Sequence, residues 1–363
     1  MNCTRREFGM AALSGVQGLR WLGDPEPAFA GPRATGGARN GGPSGPFGIV
    51  EIGIISYSFR QISYKPEDVI KGMLFLGLNV LELEQAFFEE ALGAPRDPTG
   101  GGRPALAGSE VAGGPFGHEP ARTSSAGIGR GGAPASLVDE AEPATKTVRA
   151  ELRRWRMSAP WDRVRGLRKL FNDAGVDVRL VKFPELGGRE MSDEEVDYCF
   201  QFARTMGARA ITCEPPLSQT KRVARFADKH EMIVGFHGHS NAKNVETFGR
   251  PGAWEQAFFY SKYHWANVDL GHFTAGNGYP PTGFIREYHD RITNIHLKDR
   301  KVENGPNVPW GEGDTPIKET LQLMQREKYA FPAMIELEYR IPAGSTVMDE
   351  LARCVRFCKA ALT

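Results

Sequence analysis

Cysteine is scarce in this 363-residue chain: the five thiols, Cys3, Cys199, Cys213, Cys354 and Cys358, are too few and too irregularly spaced for a disulfide scaffold. Free thiols are expected. Cys354 and Cys358 fall four apart in a stretch of helical pattern and so share a face, where a buried pair of small apolar residues explains them as well as a redox role does. Charge of one sign is also lacking, since 45 basic and 44 acidic side chains leave a net charge of +1. No overall field therefore favours nucleic acid or an anionic membrane surface. No apolar run approaches the roughly eighteen residues that a membrane span needs. The nucleotide signatures are absent too: no G-x-G-x-x-G follows the first strand-like run, no Walker sequence occurs, and Gly100-Gly101-Gly102 sits in low complexity. A small-molecule partner is what these absences leave.

The N-terminus places Thr4-Arg5-Arg6-Glu7-Phe8 ahead of a mildly apolar stretch to Leu22 and a small-x-small site at Ala28-Phe29-Ala30, the layout of a secretory signal over residues 1–30. The Thr-Arg-Arg-Glu-Phe run resembles a twin-arginine export signal, so a periplasmic or secreted location is expected, and a cytoplasmic one if the signal does not act. Arg20 interrupts the apolar region, and a basic tail is the plainer account. Residues 31–48 are rich in Gly, Pro and Ala and read as a flexible linker. A second stretch of this kind, Gly93 to Ala135, reads as a disordered Gly/Pro-rich insertion.

The remainder, over 49–363, alternates short β-branched apolar runs with amphipathic segments. Eight runs are counted: Gly53 to Phe59, Asn79 to Glu84, Val176 to Phe183, Ala208 to Glu214, Met232 to His237, Trp265 to Asp269, Ile292 to Leu297 and Ala333 to Glu338. Helical patterns between them include Pro66 to Leu76, Trp161 to Ala174, Ser192 to Met206 with a capping box at its start, and Ile317 to Glu327. Strand followed by helix, eight times, predicts an α/β chain of one domain, a (β/α)8 TIM barrel with the insertion after its second strand.

In such a barrel, functional side chains collect where strands end. The fourth run closes on Glu214 before Pro215-Pro216, the fifth on His237-Gly238-His239, the sixth on Asp269-Leu270-Gly271-His272, the seventh on His296-Leu297-Lys298-Asp299 and the eighth on Glu336-Leu337-Glu338-Tyr339. Alternation along a strand gives His237 and His239 one face, and Glu336 and Glu338 another. One strand-terminal His or Glu is more often a hydrogen-bonded mouth residue than a ligand. Consecutive strands ending this way are harder to dismiss, because inward carboxylates and imidazoles are most simply satisfied by a shared cation. The mixed N/O set suits one divalent ion: Mn²⁺, Co²⁺, Zn²⁺ or Mg²⁺.

These segments, together with Gly311-Glu312-Gly313-Asp314, resemble the xylose isomerase-like TIM-barrel superfamily in its sugar phosphate isomerase/epimerase branch, from about Gly53 to the C-terminus apart from the insertion. The resemblance implies a metal held by His237, Asp269, His296 and Glu336, with Glu338 competing for the last place. His237 departs from the pattern, since epimerase members carry Glu there and use two opposed glutamates as acid and base. The implied reaction is sugar isomerisation or epimerisation, by proton abstraction next to a carbonyl through an enediolate. Glu336 or Glu338 is the candidate base, and Glu214, His239 or His272 the re-protonating partner. His239, His272, Lys298, Asp299, Glu312 and Trp310 are candidate contacts to a sugar or keto-sugar. Lys298 is as readily an ion pair with Asp299, Glu312 a turn residue, and Trp310 or Phe59 a cap on the barrel. A keto-sugar lyase or hydratase on the same metal is the alternative; an abasic-site endonuclease and a non-catalytic sugar-binding barrel stand further off.

Overall fold

The computed structural model describes residues 47–95 and 136–363. Eight parallel strands close into a barrel in chain order: β1 Ile52–Ile55, β2 Val80–Glu84, β3 Asp177–Lys182, β4 Ala210–Cys213, β5 Ile233–His237, β6 His264–Asp269, β7 Ile292–Leu297 and β8 Ala333–Ile335, which pairs back onto β1. The helices are α1 Pro66–Leu76, α2 Ser136–Met157, α3 Trp161–Asp173, α4 Asp193–Met206, α5 Thr220–His230, α6 Pro251–Tyr260, α7 Leu270–Asn277, α8 Thr282–Tyr288, α9 Ile317–Glu327 and α10 Val347–Leu362. The chain thus forms the expected TIM barrel. The export signal over 1–30, the linker up to residue 46 and residues 96–135 of the insertion lie outside the described residues. Phe47, assigned to the linker, instead belongs to the barrel: it is buried, with the Lys359 ammonium over its ring.

The strands are covered on both faces: β1, β2, β4 and β7 are buried at every position, the polar Glu82, Glu84, Thr212, Asn294 and His296 included. The helices begin and end where local chemistry dictates. Pro66 and Pro251 occupy first-turn positions, where a missing N–H costs nothing. Ser192 and Glu195 form the capping box of α4, which ends on Gly207 at φ 77°, a left-handed conformation that glycine adopts without steric cost. Cys354 and Cys358 are buried free thiols on α10, the bland outcome. The helix α2 was not anticipated. It is docked by Arg156, whose buried guanidinium lies 2.9 Å from Glu89 and 3.1 Å from Glu195.

Two strand ends differ from expectation. The first run stops at Ile55 and turns into a 3₁₀ turn over Ser56–Phe59, and the eighth stops at Ile335 rather than Glu338. The two changes share a cause. Ser58 Oγ donates to the Ile335 carbonyl and accepts from Leu337 N–H, and Arg60 donates to the Leu337 carbonyl, so side chains replace the ladder beyond Ile335.

The barrel interior is layered. Val80, Leu180, Ala210 and Met334 make an apolar plug toward the N-terminal ends of the strands. Alternation carries the next inward positions to Glu82, Thr212 and Asn294, and the following ones to Glu84, Lys182, Glu214, His237, His296 and Glu336. Beyond the plug, the interior is almost wholly polar.

Candidate metal centre

His237 ends β5, Asp269 ends β6, His296 lies on β7 and Glu336 follows β8; all four are buried, and one ligand atom from each lies within 4.8 Å of the others. His237 Nε2 is 3.0 Å from His296 Nδ1 and 3.7 Å from Asp269 Oδ2, and His296 Nδ1 is 2.9 Å from Glu336 Oε2. Asp269 Oδ1 is spoken for, since it caps α7 by accepting the His272 N–H at 2.7 Å. Its other oxygen, Oδ2, and Glu336 Oε2 are buried inside the group, where the Lys298 ammonium is 3.0 Å from each. Burial pushes His237 down to about 4, with the Lys182 ammonium adding to the effect, so the ring is neutral and its lone pair free. Burial would lower His296, but the Glu82 and Glu336 carboxylates facing its two nitrogens raise it to about 10, so a cation bound here would take the place of its Nδ1 proton. Two imidazoles and two buried carboxylates are a donor set that fits a divalent cation on those terms.

A protein cation already stands next to this group. Lys298 Nζ lies 3.0 Å from Asp269 Oδ2, 3.0 Å from Glu336 Oε2 and 2.5 Å from Glu338 Oε2. Burial alone would raise Asp269 and Glu336, but the Lys298 ammonium outweighs it and holds both carboxyls below their usual range. Glu338 stands outside the four-residue group, with Lys298 between it and Asp269. Lys298 pairs with these carboxylates, not with Asp299.

A second cluster adjoins the first through His237. Glu214 receives the Lys182 ammonium at 2.6 Å, His239 Nε2 at 2.8 Å, and lies 3.3 Å from His237 Nδ1. Glu214, His237 and His239 also have ligand spacing, but the ammonium of Lys182 already neutralises the single carboxylate there. Burial would raise Glu214, yet Lys182 and His239 hold it well below the usual carboxylate range. His239 is about one-third exposed while Glu214 is largely covered, so a carboxylate anchors an imidazole at the mouth. His272 is 5.0 Å from His239, ring to ring, and its Nδ1 is 2.6 Å from Arg300 Nη1. A guanidinium can only donate, so Nδ1 accepts and Nε2 carries the proton.

Other expected contacts are placed elsewhere. The Asp299 carboxylate accepts from the N–H groups of Gly311, Gly313 and Thr315, which makes it the anchor of the loop after β7 rather than a sugar contact. A Cβ on Gly313 would collide with Asp299, so only glycine fits that close approach. Trp310 is buried edge-on against Phe357 of α10, and Phe59 is buried against Gly72 of α1. Glu312 is exposed on the loop. The aromatic ring near the mouth is Tyr57, with the Arg60 guanidinium 4.1 Å over it and Glu338, Glu84 and Glu336 in its electrostatic surroundings.

Sequence reasoning missed Glu82 and Glu84 of β2 and Lys182 of β3. Glu82 Oε2 lies 2.7 Å from His296 Nε2, and Glu84 is buried with Oε2 unpartnered, burial pushing it up to about 7. A signal was present: Leu81-Glu82-Leu83-Glu84 repeats the alternation of Ile335-Glu336-Leu337-Glu338 that singled out the eighth strand.

The comparisons bear on the barrel itself. Residues 184–358 match the family model described as xylose isomerase-like TIM barrel. Among solved structures it is similar in fold to the probable 3-DHS dehydratase AsbF of Bacillus anthracis, at 12% identity and TM-score 0.52, covering 85% of this chain and 98% of that one. An L-ribulose 3-epimerase matches at 12% identity and TM-score 0.51, covering 86% and 94%. A xylose isomerase domain containing protein of Salmonella typhimurium matches at 11% identity and TM-score 0.52, covering 86% and 97%. No curated protein matches the sequence.

Proposed function

We propose that this protein is a metal-dependent sugar isomerase or epimerase that abstracts a proton next to a carbonyl. One observation carries the reading: His237, Asp269, His296 and Glu336 converge within 4.8 Å, two imidazoles against two buried carboxylates. A divalent ion bound there would polarise the carbonyl and neighbouring hydroxyl of a sugar and stabilise the enediolate. Glu336 and Glu338, at the end of β8, are the carboxylates placed to remove the α-proton, and Lys298 between them offsets the negative charge that develops. His239, oriented by Glu214, stands on the β4–β5 side of the mouth and returns the proton. His272, with its proton set on Nε2 by Arg300, donates a hydrogen bond to a substrate oxygen.

A keto-sugar lyase is the second reading, and a specific observation favours it. With His237 where two-carboxylate epimerases carry Glu, the groups on the two sides differ in kind. A carboxylate base opposite an imidazole acid suits removal of a proton and protonation of a departing oxygen. Export through the residue 1–30 signal, if it acts, favours an unphosphorylated substrate.

The test is a panel of aldo-, keto- and 3-keto-sugars offered to metal-loaded protein in D₂O. Deuterium at the carbon next to the carbonyl, with isomeric products, is the expected result; unsaturated or hydrated products select the lyase. Absence of both exchange and product across the panel removes the enzyme reading.

A further inference from the structure

We propose that Glu82 is a positioning residue for the metal centre: it accepts a hydrogen bond from His296 Nε2–H and so leaves the Nδ1 lone pair directed at the cation. This rests on the metal-dependent reading above and adds a residue from β2, a strand that supplies none of the four grouped ligands.

His296 is buried, and its two ring nitrogens face different partners. Nδ1 faces the ligand group, 2.9 Å from Glu336 Oε2 and 3.0 Å from His237 Nε2, while Nε2 faces Glu82 Oε2 at 2.7 Å. A cation bound at Nδ1 in place of the proton shared with Glu336 leaves the ring one proton, and since a carboxylate anion can only accept, a ring bonded to Glu82 through Nε2 holds it there. The Asn267 amide nitrogen is 3.4 Å from the same atom and would favour the opposite tautomer if it donated. The shorter contact to a full anion decides against it.

Glu82 is itself held in place. Thr212 Oγ1 donates to Oε1 at 2.5 Å from β4, and Asn294 Nδ2 donates to Oε2 at 2.9 Å from β7. Two other strands thus hold one buried carboxylate of β2, and through it the plane of the imidazole. A carboxylate behind a ligating histidine raises its basicity and removes rotational freedom, an effect that is typically about 10- to 100-fold in metal affinity.

The experiment uses the full chain with Zn²⁺ as the probe. Long-range ¹H–¹⁵N correlation on the Zn²⁺-loaded protein, with His296 assigned by His296→Gln, is expected to show Nε2 protonated and Nδ1 metal-shifted. Chelator competition is expected to show Glu82→Gln weakening Zn²⁺ binding about 10- to 100-fold and Thr212→Val weakening it less. Protonation of the loaded ring at Nδ1, or Glu82→Gln binding Zn²⁺ as the unaltered protein does while His296→Ala loses it, overturns the role of Glu82 and leaves the metal centre standing. Failure of the unaltered protein to bind Zn²⁺ or Mn²⁺ overturns the metal centre itself. The tautomer measurement needs no substitution at Glu82, so it decides even if Glu82→Gln does not fold.

Discussion

Lys298 Nζ lies 3.0 Å from Glu336 Oε2, which puts a protein ammonium against a carboxylate of the candidate metal group. The same nitrogen reaches Asp269 and Glu338, so one cation serves three acids inside the barrel. Removing it takes away the nearest positive charge from three buried acids. Lys298→Met is therefore expected to destabilise the metal-free protein by about 3–5 kcal/mol, with added Mn²⁺ or Zn²⁺ recovering much of the loss. Thermal unfolding with and without metal measures this; equal destabilisation in both conditions would show that Lys298 acts apart from the cation.

The four-residue group predicts metal stoichiometry. The protein should hold one divalent ion, and His296→Ala or Asp269→Asn should lose most of it while keeping the barrel's circular dichroism. Metal analysis after gel filtration reads this directly, and unchanged metal in both variants sinks the assignment of these residues.

Glu214 and His239 make a separable prediction, because they approach the metal group only through His237. His239→Gln is expected to lower kcat by about 10²- to 10⁴-fold, the usual contribution of a positioned acid or base, with metal content unchanged. A loss of metal equal to the loss of rate would mean that His239 is a ligand rather than a proton carrier.

The loop after β7 depends on one carboxylate. Asp299→Ala removes the acceptor of three backbone N–H groups and should cost on the order of 3 kcal/mol, concentrated in residues 300–316. Hydrogen exchange should rise at Gly311, Gly313 and Thr315 first; uniform change across the barrel would contradict a local anchor.

His264 gives a pH prediction away from the mouth. Burial lowers it to about 4 from an ordinary 6.5, outweighing its hydrogen bond to the Ala257 carbonyl. Between those values the unfolded chain binds a proton that the folded chain refuses, so this group contributes no penalty above pH 6.5 and an increasing one as pH falls toward 4. The full effect is on the order of 3 kcal/mol. Denaturation midpoints for the protein and His264→Asn should diverge as pH falls through this window, the variant losing less; parallel curves would refute the assignment.

Much of this was legible in the chain itself. The short runs rich in β-branched and apolar residues and their spacing between helical patterns specify the barrel, and the helix limits Pro66–Leu76 and Ile317–Glu327 were readable from proline placement and periodicity. Polar residues closing consecutive runs pointed to His237, Asp269, His296 and Glu336, since strand ends of a barrel share one mouth. What local pattern could not express is which distant strands face each other through the interior. Glu82 and His296 are 214 positions apart, and only barrel closure sets β2 opposite β7; likewise Lys298 turns from its neighbour Asp299 toward Glu336 and Glu338 because alternation sends adjacent residues to opposite faces. Residue order determined the strands, their ends and the types of group at the mouth. The closed barrel decided which of those groups meet, because pairing inside it follows the geometry of the enclosure rather than separation along the chain.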